Sequence, residues 1–130
     1  MAKSKVFVPH GMLFLYGRHA KGITLPEYEP SKIVKSTSNA ISIAAQSDVD
    51  GEVEVELLPA SQLRYDEKVE IFRGKIWIEG NCLSVCTMGD EEIMSILTPS
   101  GHIEVIITSN VSHFPDIISI YVEGAESRTS

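Results

Sequence analysis

Residues 40–58 read AISIAAQSDVDGEVEVELL. Ile41, Ile43 and Ala45 alternate with Ser42, Ala44 and Gln46 before the Asp50-Gly51 step. Val53, Val55 and Leu57 alternate with Glu52, Glu54 and Glu56 after it. Period-two alternation on both sides of an Asp-Gly turn is the pattern of a β-hairpin with one apolar face per strand. The stretch therefore predicts strands over 40–46 and 52–58, paired across the turn, with the glutamates on a solvated face. A calcium loop is the competing reading, and its spacing fails. With Gly51 at loop position 6, Asp48 and Asp50 fall on ligand positions, but Gln46 and Leu57 occupy the two anchoring ones. No metal is expected there.

Working outward, short alternating runs recur along the whole chain. Residues 5–8 and 12–16 read as strands around Pro9-His10-Gly11. Residues 68–73 and 75–79 follow, with a bulge or turn expected at Gly74. Gly80-Asn81 leads into 82–86, then 93–97, the Thr98-Pro99-Ser100-Gly101 turn, 102–108 and 117–123. The best helical candidate is 30–38, which is short and β-branched. The expected fold class is all-β: an antiparallel two-sheet β-sandwich of about eight strands with at most one short helix. At 130 residues one domain over 1–130 is expected, long enough for a core without disulfides or metals, with 1–4 and 124–130 as frayed ends.

Composition narrows the partners. The chain is 43% hydrophobic and 22% charged, a globular balance, with a formal net charge of −7. An anionic surface repels nucleic acid and acidic membranes, so neither is an expected direct partner. Cys82 and Cys86 lie roughly 13 Å apart if that segment is a straight strand, too far for a disulfide. Reduced thiols point to the cytoplasm. Lys3 and Lys5 before VFVPHGMLFLYG resemble the start of a signal peptide, but Pro9, His10 and Gly11 break the apolar run. No segment has the apolar length to span a membrane.

Motifs of catalysis are scarce. GRHAKGIT (17–24) has the glycine spacing of a phosphate-binding loop, with Gly17, Gly22 and Thr24 in place, but Ile23 stands where the lysine belongs. Arg18, His19 and Lys21 then read as a basic loop. His10, His19, His102 and His113 form no pair with metal-ligand spacing. His113 and Asp116 flank Phe114-Pro115 in a loop that could bring them together, although a histidine near an aspartate in a loop is usually structural or exposed. Cys86 is a nucleophile by type, and a strand cysteine is more often an inert buried thiol. Trp77 points away from Ile76 and Ile78, as a second packing face or as an exposed binding anchor. No catalytic residue, metal or cofactor is expected from these residues.

A family resemblance goes further. Asn39-Ala40-Ile41-Ser42-Ile43-Ala44-Ala45-Gln46, followed by a turn and an alternating strand, resembles the central segment of the competence protein J family. Lys68-Val69-Glu70-Ile71, the Glu79-Gly80-Asn81 turn, Leu97-Thr98-Pro99-Ser100-Gly101 with Ile103 and Val105, and Asp116-Ile117-Ile118 follow in the same order. The likeness runs over residues 9–123. It implies a protein that binds and inhibits a DNA-entry nuclease and catalyses nothing. The expected partner is a basic nuclease, and the expected contacts are Glu52, Glu54 and Glu56, a row of carboxylates able to imitate phosphates, with Trp77. Two other classes stay open. A small-ligand or carbohydrate-binding sandwich would use a concave face with Trp77, Tyr16 or Tyr65. An enzyme would be built around His113 and Asp116.

Overall fold

The computed structural model describes residues 2–17, 20–27, 29, 32–64, 68–111 and 114–125. Ten strands build two five-stranded sheets packed face to face. The first sheet has the order β1 (Ala2–Val6), β5 (Val53–Pro59), β10 (Ile117–Val122), β9 (Gly101–Ser109) and β6 (Val69–Ile78). The second has the order β3 (Val34–Ser36), β4 (Ala40–Ala44), β2 (Met12–Tyr16), β7 (Cys82–Thr87) and β8 (Glu92–Leu97). All pairings are antiparallel except β5 with β10. Among the described residues the only helical turns are short 3-10 turns at Pro9–Gly11 and Ala60–Gln62.

The core lies between the sheets, where the inward positions of both are apolar. Leu13 and Leu15 of β2, Ile41 and Ile43 of β4, and Leu83 and Val85 of β7 meet Val53, Val55 and Leu57 of β5, Val105 and Ile107 of β9, and Ile118 and Ile120 of β10. Each of these is fully buried. Burial of that kind contributes about 1.5–3 kcal/mol per large aliphatic side chain before chain entropy is counted. Two straps cover the outer faces. Ile23 packs on Met12, Phe14, Tyr16, Ala40, Ala44 and Cys86 outside the second sheet. Leu63 packs on Leu58, Ile106 and Tyr121 outside the first.

Several expectations change. The 40–58 segment is not a hairpin. β4 pairs with β2 and β3, β5 pairs with β1 and β10, and the chain crosses from one sheet to the other between them. The alternation correctly marks two strands with apolar inner faces, but the turn is consumed by long-range bonds. Ala45 N donates to Gly11 O and Gln46 N to Pro115 O, so the ladder cannot continue into β5. The Gly80-Asn81 and Pro99-Ser100 turns are sheet crossings as well. Residues 68–79 hold one strand, with its bulge between Glu70 and Phe72 rather than at Gly74. The Phe72 ring lies over Gly74. The helical candidate contains strand β3 instead, as β-branched Val34 favours. Ala2–Ser4 belong to strand β1, in which Lys3 and Lys5 register against Glu56 and Glu54 of β5. At the other end Ala125 is buried, and 126–130 lie outside the described residues.

Cys82 and Cys86 share strand β7 without a disulfide. Cys86 is fully buried and Cys82 half-buried. Alkylation of the native protein should therefore modify Cys82 first, and Cys86 only at the rate of unfolding. Mass spectrometry of a time course distinguishes this from equal labelling of both.

Candidate functional site: an acidic loop end

The strands place four connections at one end of the sandwich: β1–β2 (7–11), β4–β5 (45–52), β7–β8 (88–91) and β9–β10 (110–116). They carry Asp48, Asp50, Glu52, Asp90, Glu91 and Asp116, and no lysine or arginine. Within these four connections the charged side chains are all acidic, while Lys5, Lys32 and Lys68 stand beside them at or next to the ends of β1, β3 and β6.

Three of the connections are fastened together through the β4–β5 connection. Asp48 N donates to Val8 O at 3.2 Å, Ala45 N to Gly11 O at 2.6 Å and Gln46 N to Pro115 O at 2.9 Å. Within the β4–β5 connection, the Gln46 side-chain amide donates to Glu52 O at 3.2 Å and Asp50 N to Ser47 O at 2.9 Å. Asn110 Nδ2 donates to Asp116 Oδ1 at 2.6 Å, and Glu54 N to Asp116 O at 2.7 Å. The Tyr16 phenol donates to the Asp90 carboxylate, which ties the β7–β8 turn to β2. Burial, and then that bond, push the Tyr16 phenol well above the usual tyrosine range.

The predicted carboxylate row divides. Glu52 is exposed and shares a hollow of about 230 Å³ with Lys5, Glu54, Asp116 and Ile117. Glu54 is half-buried and paired with Lys3 at 3.5 Å, an exposed ion pair of little energetic weight. Glu56 is only 8% exposed. It accepts a hydrogen bond from Ser119 Oγ at 3.0 Å and faces Lys68 Nζ at 3.9 Å, with Lys68 in turn donating to Ser119 at 2.8 Å. An open row of three acids is therefore not what the fold presents, because the connection carrying Lys68 closes over the third. Glu56→Ala should cost about 1–3 kcal/mol, since it strips partners from the buried Ser119 hydroxyl and the Lys68 amine. Glu52→Gln should stay within about 0.5 kcal/mol. Urea midpoints of the two variants make the comparison.

Trp77 is 43% exposed, with its ring edge-on to His102 at 5.0 Å between centroids. It stands at the far end of β6. Through the β6–β9–β10–β5 registers its level is roughly 30 Å from Glu52 along the strands, at about 3.3 Å per residue. The two cannot share one small contact. Nor do the aromatics expected of a ligand-binding face converge: Trp77 belongs to the first sheet, buried Tyr16 to the second, and Tyr65 lies outside the described residues. His113, Arg18 and His19 also lie outside them. The loop that resembles a phosphate site serves the second sheet. Ile23 is packed on it, while Thr24 N and Gly22 O are both bonded to the Asn39 side chain at 3.0 Å. Among the described residues no three His, Cys, Asp or Glu side chains converge as metal ligands, and no helix is long and apolar enough to cross a membrane.

Sequence reading passed over the exposed side chains of this end. Phe7 is 61% exposed, Val49 86% and Phe114 59%. Phe114 also has φ of 46°, the left-handed region that bulky residues avoid. A local sign was present in Phe114-Pro115, an aromatic residue in a turn where nothing apolar is needed.

No family model matches the sequence, and no curated protein matches it. Among solved structures, the chain is similar to the crystal structure of ComJ, inhibitor of the DNA degrading activity of NucA, from Bacillus subtilis. The TM-score is 0.68 at 13% sequence identity, over 95% of this chain and 96% of that one. The fold is ComJ-like. The resemblance read from the Asn39–Gln46 segment and the later turns thus extends to the whole ComJ-like sandwich, including its two sheets.

Proposed function

We propose that this protein is a non-catalytic inhibitor that binds a DNA-degrading nuclease directly. The observation that carries this reading is the likeness to the NucA inhibitor ComJ over nearly the full length of both chains. The charge distribution supports it. A nuclease must hold a phosphate backbone, so its cleft is basic, and an acidic protein end complements that cleft. Glu52 is free for such a contact, Glu54 becomes so when Lys3 yields, and Glu56 serves the fold. A net charge of −7 disfavours the alternative route, in which DNA itself would be captured. A cytoplasmic location belongs to the same reading, and two cysteines without a disulfide suit it.

The test is a DNA-degradation assay with a purified NucA-type nuclease from the same organism. Cleavage should fall as the protein is added and should be restored by more enzyme rather than by more DNA. Undiminished cleavage at a large molar excess of the protein contradicts the reading.

A further inference from the structure

We propose that the loop end docks on the nuclease through Phe7, Val49 and Phe114 as apolar anchors, with Asp48, Asp50 and Glu52 as the charged rim that meets the basic cleft. This rests on the inhibitor reading above and gives it a surface.

Isolated exposed apolar side chains are ordinary on any protein. These three stand on three connections, of which the outer two are each hydrogen-bonded to the β4–β5 connection between them, so they rise from one fastened platform. Grouped apolar exposure rimmed by charge is the composition of an association surface. Phe114 is a bulky residue held in left-handed backbone with its ring directed out of the core, and strain of this kind persists where the surrounding structure enforces it. Its flanking residue Pro115 is buried and accepts the bond from Gln46, which fixes the turn that presents the ring. Beside it runs a shallow groove of about 320 Å³ lined by His10, Ala45, Gln46, Ser47, Asp50 and Phe114. Fastened loops lose little freedom on association, which favours affinity from a few anchors.

The occupant follows from charge. The four connections contain no lysine or arginine, so a surface rich in those residues meets like charge only at the adjoining strand ends, such as Lys5 beside Glu52. A cleft built to grip phosphates is such a surface. The opposite end offers Trp77 and Leu97 as exposed apolar groups, but the remaining connections, taken together, mix their acids with lysine and arginine.

The experiment measures the dissociation constant for the purified NucA-type nuclease with the wild-type protein, Phe114→Ala, Phe7→Ala and Trp77→Ala. Phe114→Ala and Phe7→Ala should each weaken binding on the order of ten-fold or more, as anchor truncations do, with unchanged circular dichroism and melting. Should Phe114→Ala shift the melting, Phe114→Leu, which keeps an apolar side chain, should retain most of the affinity. Wild-type affinity in both alanine variants overturns the assignment, and loss confined to Trp77→Ala moves the contact to the far end. No binding by the wild-type protein overturns the nuclease reading, and the surface with it.

Discussion

Gly11→Ala is expected to destabilise the protein by about 2–4 kcal/mol, combining left-handed strain, a backbone collision and a lost hydrogen bond. Gly11 has φ of +70°, and a Cβ there would lie 2.5 Å from Ala45 O. That carbonyl is backbone and cannot swing aside as a side chain would. Moving it disturbs the bond from Ala45 N to Gly11 O at 2.6 Å, one of those that lock the β1–β2 connection to β4–β5. Gly22→Ala is the control. Gly22 has nearly the same φ, +71°, but nothing within 4 Å of its added Cβ. It should lose only the conformational share, about 1–2 kcal/mol. Equal urea midpoints for the two variants would show that the close approach at Ala45 has no weight.

The second large effect is kinetic. Asp48→Lys combined with Asp50→Lys should slow association with the nuclease by about ten-fold or more at low salt, because steering acts through the summed field of the loop end. Both side chains are exposed, so stability should change by no more than about 0.5 kcal/mol per site. The gap should close as ionic strength rises and the Debye length shrinks below about 8 Å. Dissociation should change less than association. Stopped-flow association at several salt concentrations reads both rates. An on-rate of the double variant equal to wild type at low salt would remove charge from the recognition.

Strands were legible in this sequence because a half-buried strand writes its two faces into alternate residues. β2 is found at the residues expected, and β7, β8, β9 and β10 lie within one residue of theirs. Which sheet each strand joins was not legible. The Asp50-Gly51 turn reports only local chain reversal, whereas the choice between pairing with β4 and crossing to β1 and β10 is made by residues distant in sequence. β1 is nearly silent for the same reason: AKSKV has one large apolar residue, and its lysines make sense only beside Glu54 and Glu56.

The candidate site was half legible. Alternation places Glu52, Glu54 and Glu56 on one face, as found, but the burial of Glu56 comes from Lys68 and Ser119. Phe7, Val49 and Phe114 are scattered through the sequence, and only the bonds among their connections bring them to one end. Trp77 is visible in the sequence as an isolated aromatic, yet its place at the far end of β6 follows from a register that no local pattern encodes.

The most direct test of inhibition by binding is to mix the purified protein with the NucA-type nuclease in the absence of DNA and determine the mass of the species by light scattering after gel filtration. A discrete complex of defined stoichiometry, dissociating as salt is raised, is the predicted result. Two peaks at the masses of the separate proteins, at concentrations where DNA cleavage is suppressed, would contradict it and would mean that the protein acts on something other than the enzyme.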